Sequence, residues 1–301
     1  MIESVERYIE MRVTLGYTDQ DLKRCLRGFA TFASERGSKV LLRGDIICWI
    51  GKINSNYQKR RHLDWIEKFG SYMRAENDAH ESMPSKYADR LGKRSSSTPF
   101  IYRESEILRI MDGFGSLGIH HPYDVATYRT IVGLIASTGM RLGEALSLCK
   151  ADFKELELLI RKGKFGKDRL LYVQSTTGQA LREYLEARPA TLDSSKIFVI
   201  HTNRTPASCT VQAAFRRCTN YVGVDGREGS GPPRIHDLRH TFAVNSLRDC
   251  SSDERSVSNH IVALSTYLGH VSVSDTYWYL RLLPETKLMI AKAISEPQHA
   301  Q

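Results

Sequence analysis

The sequence predicts a mainly α-helical chain of two domains, the second of which carries a small β-sheet or hairpin. Three observations lead there. The length of 301 residues exceeds what one average core needs. A polar, basic stretch, Gly92-Lys93-Arg94-Ser95-Ser96-Ser97-Thr98-Pro99, reads as a linker ending in a helix-hostile proline. Apolar residues recur at helical spacing through most of the rest, and the period changes to short β-prone runs in one region after residue 157. The expected division is residues 1–92, a linker at 93–103 and a second domain at 104–301.

Within residues 1–92, Leu22, Leu26, Phe29 and Phe32 mark a helix over Asp19 to Glu35, and Leu63, Ile66, Phe69 and Met73 mark another over Asn56 to Glu76. Nothing there alternates like a strand. After the linker, Ser105 to Gly113 and Tyr128 to Thr138 read as helices, and Gly139-Met140-Arg141-Leu142-Gly143-Glu144 turns the chain into a short helix ending near Cys149. Leu158 to Arg161 and Arg169 to Val173 are β-prone runs separated by the Gly- and Lys-rich Lys162 to Asp168, a hairpin with a basic tip. Helices are expected at Gly178 to Ala187, at Thr210 to Val222 and through most of Ile235 to Ser295. The apolar run Ile197 to Ile200 and the glycine-rich loop Gly223 to Pro233 lie between them.

Composition narrows the function. With 41% hydrophobic and 26% charged residues the chain can build cores, and no apolar run approaches the roughly 18 residues of a membrane span. The opening Met1-Ile2-Glu3 has no basic-then-apolar pattern, so a cytoplasmic location is expected. Six scattered cysteines without a C-x-x-C pair read as reduced thiols. Lys and Arg outnumber Asp and Glu by 43 to 34, a net +9 shared as +3 before residue 93 and +6 after it, which favours a polyanionic partner. His120-His121 lacks companions at metal-ligand spacing, and no Gly-x-x-x-x-Gly-Lys-Ser/Thr loop is present, so neither a metal, ATP nor another cofactor is expected.

Several short motifs in the second domain are individually ordinary: Arg141 three residues before Glu144, lysines on a hairpin tip, His236-Asp237-Leu238-Arg239-His240, Leu268-Gly269-His270 and, nine residues on, Tyr279. Taken in order, this set resembles the tyrosine recombinase (phage integrase) family. Thr138-Gly139-Met140-Arg141-Leu142-Gly143-Glu144, His236 to Thr241 and Leu268 to Ser272 match that family's diagnostic stretches, and the resemblance covers the whole second domain. Asp21 to Phe32 and Tyr57 to Phe69 look, more loosely, like the helical core-binding domain of such enzymes.

The resemblance implies a C-shaped clamp around double-stranded DNA, built from a core-binding and a catalytic domain. It implies site-specific strand breaking and rejoining through a 3′-phosphotyrosyl intermediate, with Tyr279 as nucleophile. Tyr277 points to a nearly opposite helix face, and family spacing selects Tyr279. Arg141 and Arg239 would hold the non-bridging phosphate oxygens, as planar, permanently charged donors can. Lys164 would protonate the leaving 5′-oxygen, with Lys162 and Lys167 as alternatives, His236 would accept the tyrosine proton and His270 would hydrogen-bond the phosphate. Lys59, Arg60 and Arg61 read either as a DNA-contacting patch or as a solvated helix face. The resemblance further implies a homotetramer on DNA, with Pro284 to Ser295 exchanged between protomers. A type IB topoisomerase and a catalytically silent DNA-binding protein are the competing readings; the full set of polar side chains argues against the second.

Overall fold

The computed structural model describes residues 1–17, 19–83, 87, 98–161, 167–249, 254–270 and 272–282. The chain divides into two units, Met1–Ser96 and Ser97–Gln301.

The first unit packs four helices, α1 (Ile2–Thr14), α2 (Gln20–Glu35), α3 (Arg43–Gly51) and α4 (Asn56–Arg74). Asp19 starts α2 by accepting hydrogen bonds from the backbone N–H groups of Asp21 and Leu22, which satisfies two of the donors that a helix start leaves without partners. Leu26, Phe29, Ile46, Ile66 and Phe69 form its core. The spacing of Leu22, Leu26 and Phe29 buries one face of α2, whereas Phe32 lies beside it under the Lys52 ammonium, 4.1 Å from the ring centre.

In the second unit, α5 (Glu104–Gly113), α6 (Pro122–Thr138), α7 (Leu142–Ser147), α8 (Ser175–Glu186), α9 (Ser208–Tyr221), α10 (Asp237–Arg248), α11 (Glu254–Leu268) and α12 (Ser274–Tyr277) surround a three-stranded antiparallel sheet. Its strands are β1 (Phe153–Lys154), β2 (Glu157–Ile160) and β3 (Arg169–Tyr172), in that order. Leu158 pairs with Leu171, so Leu158, Ile160 and Leu171 face the core while Leu170 and Tyr172 face away, as the two-residue period of a pleated strand requires. The hairpin is thus extended by a third, two-residue strand. Among the described residues, no helix is long and apolar enough to cross a membrane.

Two differences from the sequence reading have physical causes, and the apolar run Ile197 to Ile200 finds its place. Phe100 and Tyr102, expected within the 93–103 linker, are buried in the second unit's core; Tyr102 donates its backbone N–H to Thr241 Oγ1 and its hydroxyl to the Arg234 carbonyl. Helix α6 begins at Pro122 instead of Tyr128, because proline suits the first helical turn and His121 Nδ1 accepts the Tyr123 N–H. Ile197, Phe198 and Val199 are wholly buried outside any strand; the Ile197 N–H is satisfied by the Leu148 carbonyl.

The helical stretch expected after Ile235 is interrupted. Helix α11 ends at Leu268, Gly269 turns left-handed at φ +68°, and α12 runs into a 3-10 segment, Trp278–Leu282. Pro284 to Ser295 lie outside the described residues.

Candidate active site

Two left-handed glycines build the floor of the site. Gly139 closes α6 at φ +63°, and a Cβ there would stand 2.5 Å from the Phe242 ring and 2.9 Å from Leu268, so only glycine fits in both conformation and space. Gly269 closes α11 in the same conformation, with the Arg169 side chain 3.0 to 3.1 Å from where its Cβ would be. The carbonyls left free around these helix ends face inward. Arg239 donates to Gly139 O at 2.8 Å and to Leu268 O at 2.9 Å, while Arg141 donates to Gly269 O at 3.3 Å. Both guanidiniums therefore sit where helix C-termini favour positive charge.

Arg239 is 2% exposed and among the described residues has no carboxylate partner. Burial, followed by the neighbouring Arg141 charge, pulls it down to about 10, so it remains fully protonated at neutral pH. A buried cation whose hydrogen-bond partners are all neutral is costly unless an anion joins it.

Arg141 is held differently. It precedes α7, and Glu144 accepts both its backbone N–H at 2.9 Å and its guanidinium at 2.8 Å. From β3, Arg169 grips the same carboxylate with both terminal nitrogens, at 2.9 and 2.7 Å, and donates its Nε to Tyr267 O at 3.0 Å. Burial would raise the Glu144 carboxyl, but these two guanidiniums and the backbone N–H outweigh it and hold the group down at about 2.

Helix α10 carries the histidines. It is anchored by the buried Asp237, which accepts from the Arg234 backbone and guanidinium. His236 stands exposed at its start, where it lines, with Arg141, Arg216 and Arg234, a depression of about 740 Å³. Loss of water around the imidazole and the Arg239 charge hold His236 below its ordinary value. One turn on, His240 lies edge-to-face against His236, with ring centres 4.9 Å apart. His270 is fixed by a 2.7 Å hydrogen bond between its Nδ1 and the buried Thr276 hydroxyl.

Tyr279 is 3% exposed, and Tyr277 48%. The Tyr279 ring stacks 6.2 Å from His270, and its hydroxyl is 3.1 Å from His240 Nδ1. Burial raises the phenol, while the charges of Arg239 and Arg141 oppose that rise. The structure therefore gathers Arg141, His236, Arg239, His270 and Tyr279 around one spot.

Lys164 and its alternative Lys162 lie outside the described residues; Lys167 is exposed beside the hairpin. In the first unit, Lys59, Arg60 and Arg61 are half-buried on α4, and Arg61 is engaged with Asp21 at 3.0 Å and with the Trp65 ring. His121 and His201 stack near Asp124, which accepts from the His201 backbone at 2.7 Å. Among the described residues, no group of three or more His, Cys, Asp or Glu side chains could hold a metal ion.

Comparison with known proteins decides the family, since the phage integrase family profile matches residues 102–286. The chain belongs to the phage integrase family of tyrosine recombinases. It is 31% identical over 299 residues to an integrase/recombinase of Sinorhizobium fredii (strain NBRC 101917 / NGR234), a match spanning 94% of this chain and 93% of the relative. The tyrosine recombinase XerD of Corynebacterium glutamicum is 31% identical over 184 residues, 60% of this chain and 57% of its own. Two solved structures share the fold. The Tn1549 transposon integrase in complex with a circular intermediate DNA has a TM-score of 0.65 at 14% identity, covering 92% of this chain and 94% of that one. The XerH recombinase in its post-cleavage complex has a TM-score of 0.63 at 20% identity, covering 91% and 79%. The protein is thus a site-specific recombinase.

The sequence reading gave no role to four side chains that shape this recombinase's site: Glu144, Arg169, His240 and Thr276. Glu144 and His240 stand within quoted motifs. Arg169 reaches Glu144 across 25 residues and Tyr267 across 98, pairings that no local period encodes.

Proposed function

We propose that this recombinase cuts DNA by attack of the Tyr279 hydroxyl on a backbone phosphorus. The Tyr279 O–P bond forms, the bond from phosphorus to the 5′-oxygen breaks, and a 3′-phosphotyrosyl linkage conserves the energy for religation. Arg239 and Arg141 hold the non-bridging oxygens, His270 donates to the phosphate, and His236 takes up the phenolic proton. Lys164 delivers a proton to the departing 5′-oxygen. Two guanidiniums supply the charge that a metal ion would otherwise carry, so the reaction runs without metal or ATP. The observation that carries this reading is Arg239: wholly buried, without a carboxylate partner among the described residues, and beside an equally buried tyrosine.

Double-stranded DNA is the partner, bound largely through phosphate contacts of a chain with net charge +9, Lys59, Arg60 and Arg61 among them. We further propose that the active form on DNA is a tetramer in which the segment containing Leu288, Ile290 and Ile294 docks on a neighbouring protomer.

The test is a suicide duplex carrying the recombination site, incubated with excess chelator and no nucleotide, then run on a denaturing gel. Wild type is expected to give a covalent adduct, and Tyr279→Phe none with DNA binding retained. An adduct that requires a divalent metal, or one that persists in Tyr279→Phe, would overturn the reading.

A further inference from the structure

Of the two histidines on α10, it is His240, not His236, whose ring nitrogen is hydrogen-bonded to the Tyr279 hydroxyl. His240 Nδ1 lies 3.1 Å from the hydroxyl oxygen, and its ring is confined on several sides: edge-to-face by His236 at 4.9 Å, by the Trp278 ring at 5.8 Å and by the tyrosine itself at 5.6 Å. Such a ring has few orientations open to it. On its own helix it faces His236 and Arg239, with Arg234 just before the helix; His270 faces it from the turn after α11. The acidic side chain at the helix start, Asp237, is already engaged by Arg234. A cation is therefore unfavourable at this position, and a neutral imidazole with its proton on Nε2 presents a lone pair from Nδ1 to the phenol.

We propose that His240 is a positioning residue for the nucleophile, accepting the Tyr279 O–H at Nδ1 and so aiming the oxygen's lone pairs at the phosphorus. The inference rests on Tyr279 being the nucleophile. Orientation of this kind has a large effect on rate, because misplacing a reacting atom by about 1 Å costs on the order of a hundredfold. Burial, and after it the charges of His236, Arg234, Arg239 and His270, push His240 down to about 3, whereas burial raises Tyr279 above its ordinary phenol value. Resting the proton on His240 is thus unfavourable. That mismatch gives His240 the orienting part before attack; as the O–P bond forms, the O–H proton leaves this hydrogen bond and passes to the exposed His236.

Single-turnover cleavage of the suicide duplex, measured with DNA affinity and thermal midpoint for wild type, His240→Ala and His240→Asn, tests this. Asparagine places its amide oxygen near the position of Nδ1 but is no base. His240→Ala is expected to cleave about 10- to 100-fold more slowly at unchanged DNA affinity, and His240→Asn to recover to within about fivefold of wild type. A folded His240→Ala that cleaves at the wild-type rate, or a folded His240→Asn no faster than 100-fold below wild type, would overturn the proposal. If the alanine variant does not fold, the asparagine variant decides by the same limits. The underlying reading fails separately, through absence of a wild-type adduct or its persistence in Tyr279→Phe.

Discussion

Each guanidinium in this site is held by a helix end that glycine makes possible. Gly139→Ala would demand a left-handed alanine and force a Cβ to 2.5 Å from Phe242, and a loss of about 2–4 kcal/mol is expected by urea unfolding. Gly269→Ala meets the same backbone strain but a less severe approach, 3.0 to 3.1 Å from the Arg169 side chain against 2.5 Å from Phe242, so its stability loss should be the smaller of the two. Arg239→Lys removes the planar fork that reaches Gly139 O and Leu268 O while leaving nitrogens for phosphate; a fall of at least about a hundredfold in single-turnover cleavage is expected. The motif order singled out Arg141, His236, Arg239, His270 and Tyr279, side chains that the structure brings to one spot. Thr276 and His240 were not assigned roles, because a threonine fixing an imidazole nitrogen and a second histidine one turn along α10 have no distinctive spacing of their own.

At the level of elements, Arg169 ties strand β3 to the starts and ends of two helices. Its bidentate pair with Glu144 is mostly shielded from water, with side chains 13% and 8% exposed, and breaking such a pair strands a buried charge. Arg169→Met is expected to lose about 3 kcal/mol of stability by urea unfolding, and to cleave more slowly because Glu144 then steadies Arg141 alone. Helices α2 and α4 could be read from their apolar spacing. The α1 and α3 segments could not: α1 buries only Val5, Tyr8 and Ile9, and α3 is nine residues long with glycines at Gly44 and Gly51. The two-residue β1 is too short to show any period, and Ile197 to Val199 resemble a buried strand because full burial, not pairing, selects their apolar character.

Across the whole molecule, depressed pKa values couple stability to pH. His240, held at about 3 when folded, takes up a proton near 6.5 when unfolded, so the unfolded chain binds the extra proton between those values. Stability is expected to fall as pH drops below about 6.5, by up to about 1.4 kcal/mol per pH unit from this group. Glu144, held at about 2, adds a second loss below about 4.5, where only the unfolded carboxyl is protonated. Urea midpoints measured from pH 8 to pH 3 should trace both limbs, and His240→Asn should lack the first group's share. The net +9 charge predicts a DNA affinity that declines steeply and linearly on logarithmic axes with salt, measurable by fluorescence anisotropy. The basic, serine-rich stretch led to the expected division, but where that linker ends was not legible, because Phe100 is buried in the second unit's core and Tyr102 bonds Thr241 and Arg234 across more than a hundred residues. The central claim concerns one atom, the Tyr279 hydroxyl oxygen. Protease digestion of the trapped adduct followed by fragmentation mass spectrometry should find the nucleotide on Tyr279, and finding it on Tyr277 or on any other residue would contradict the account.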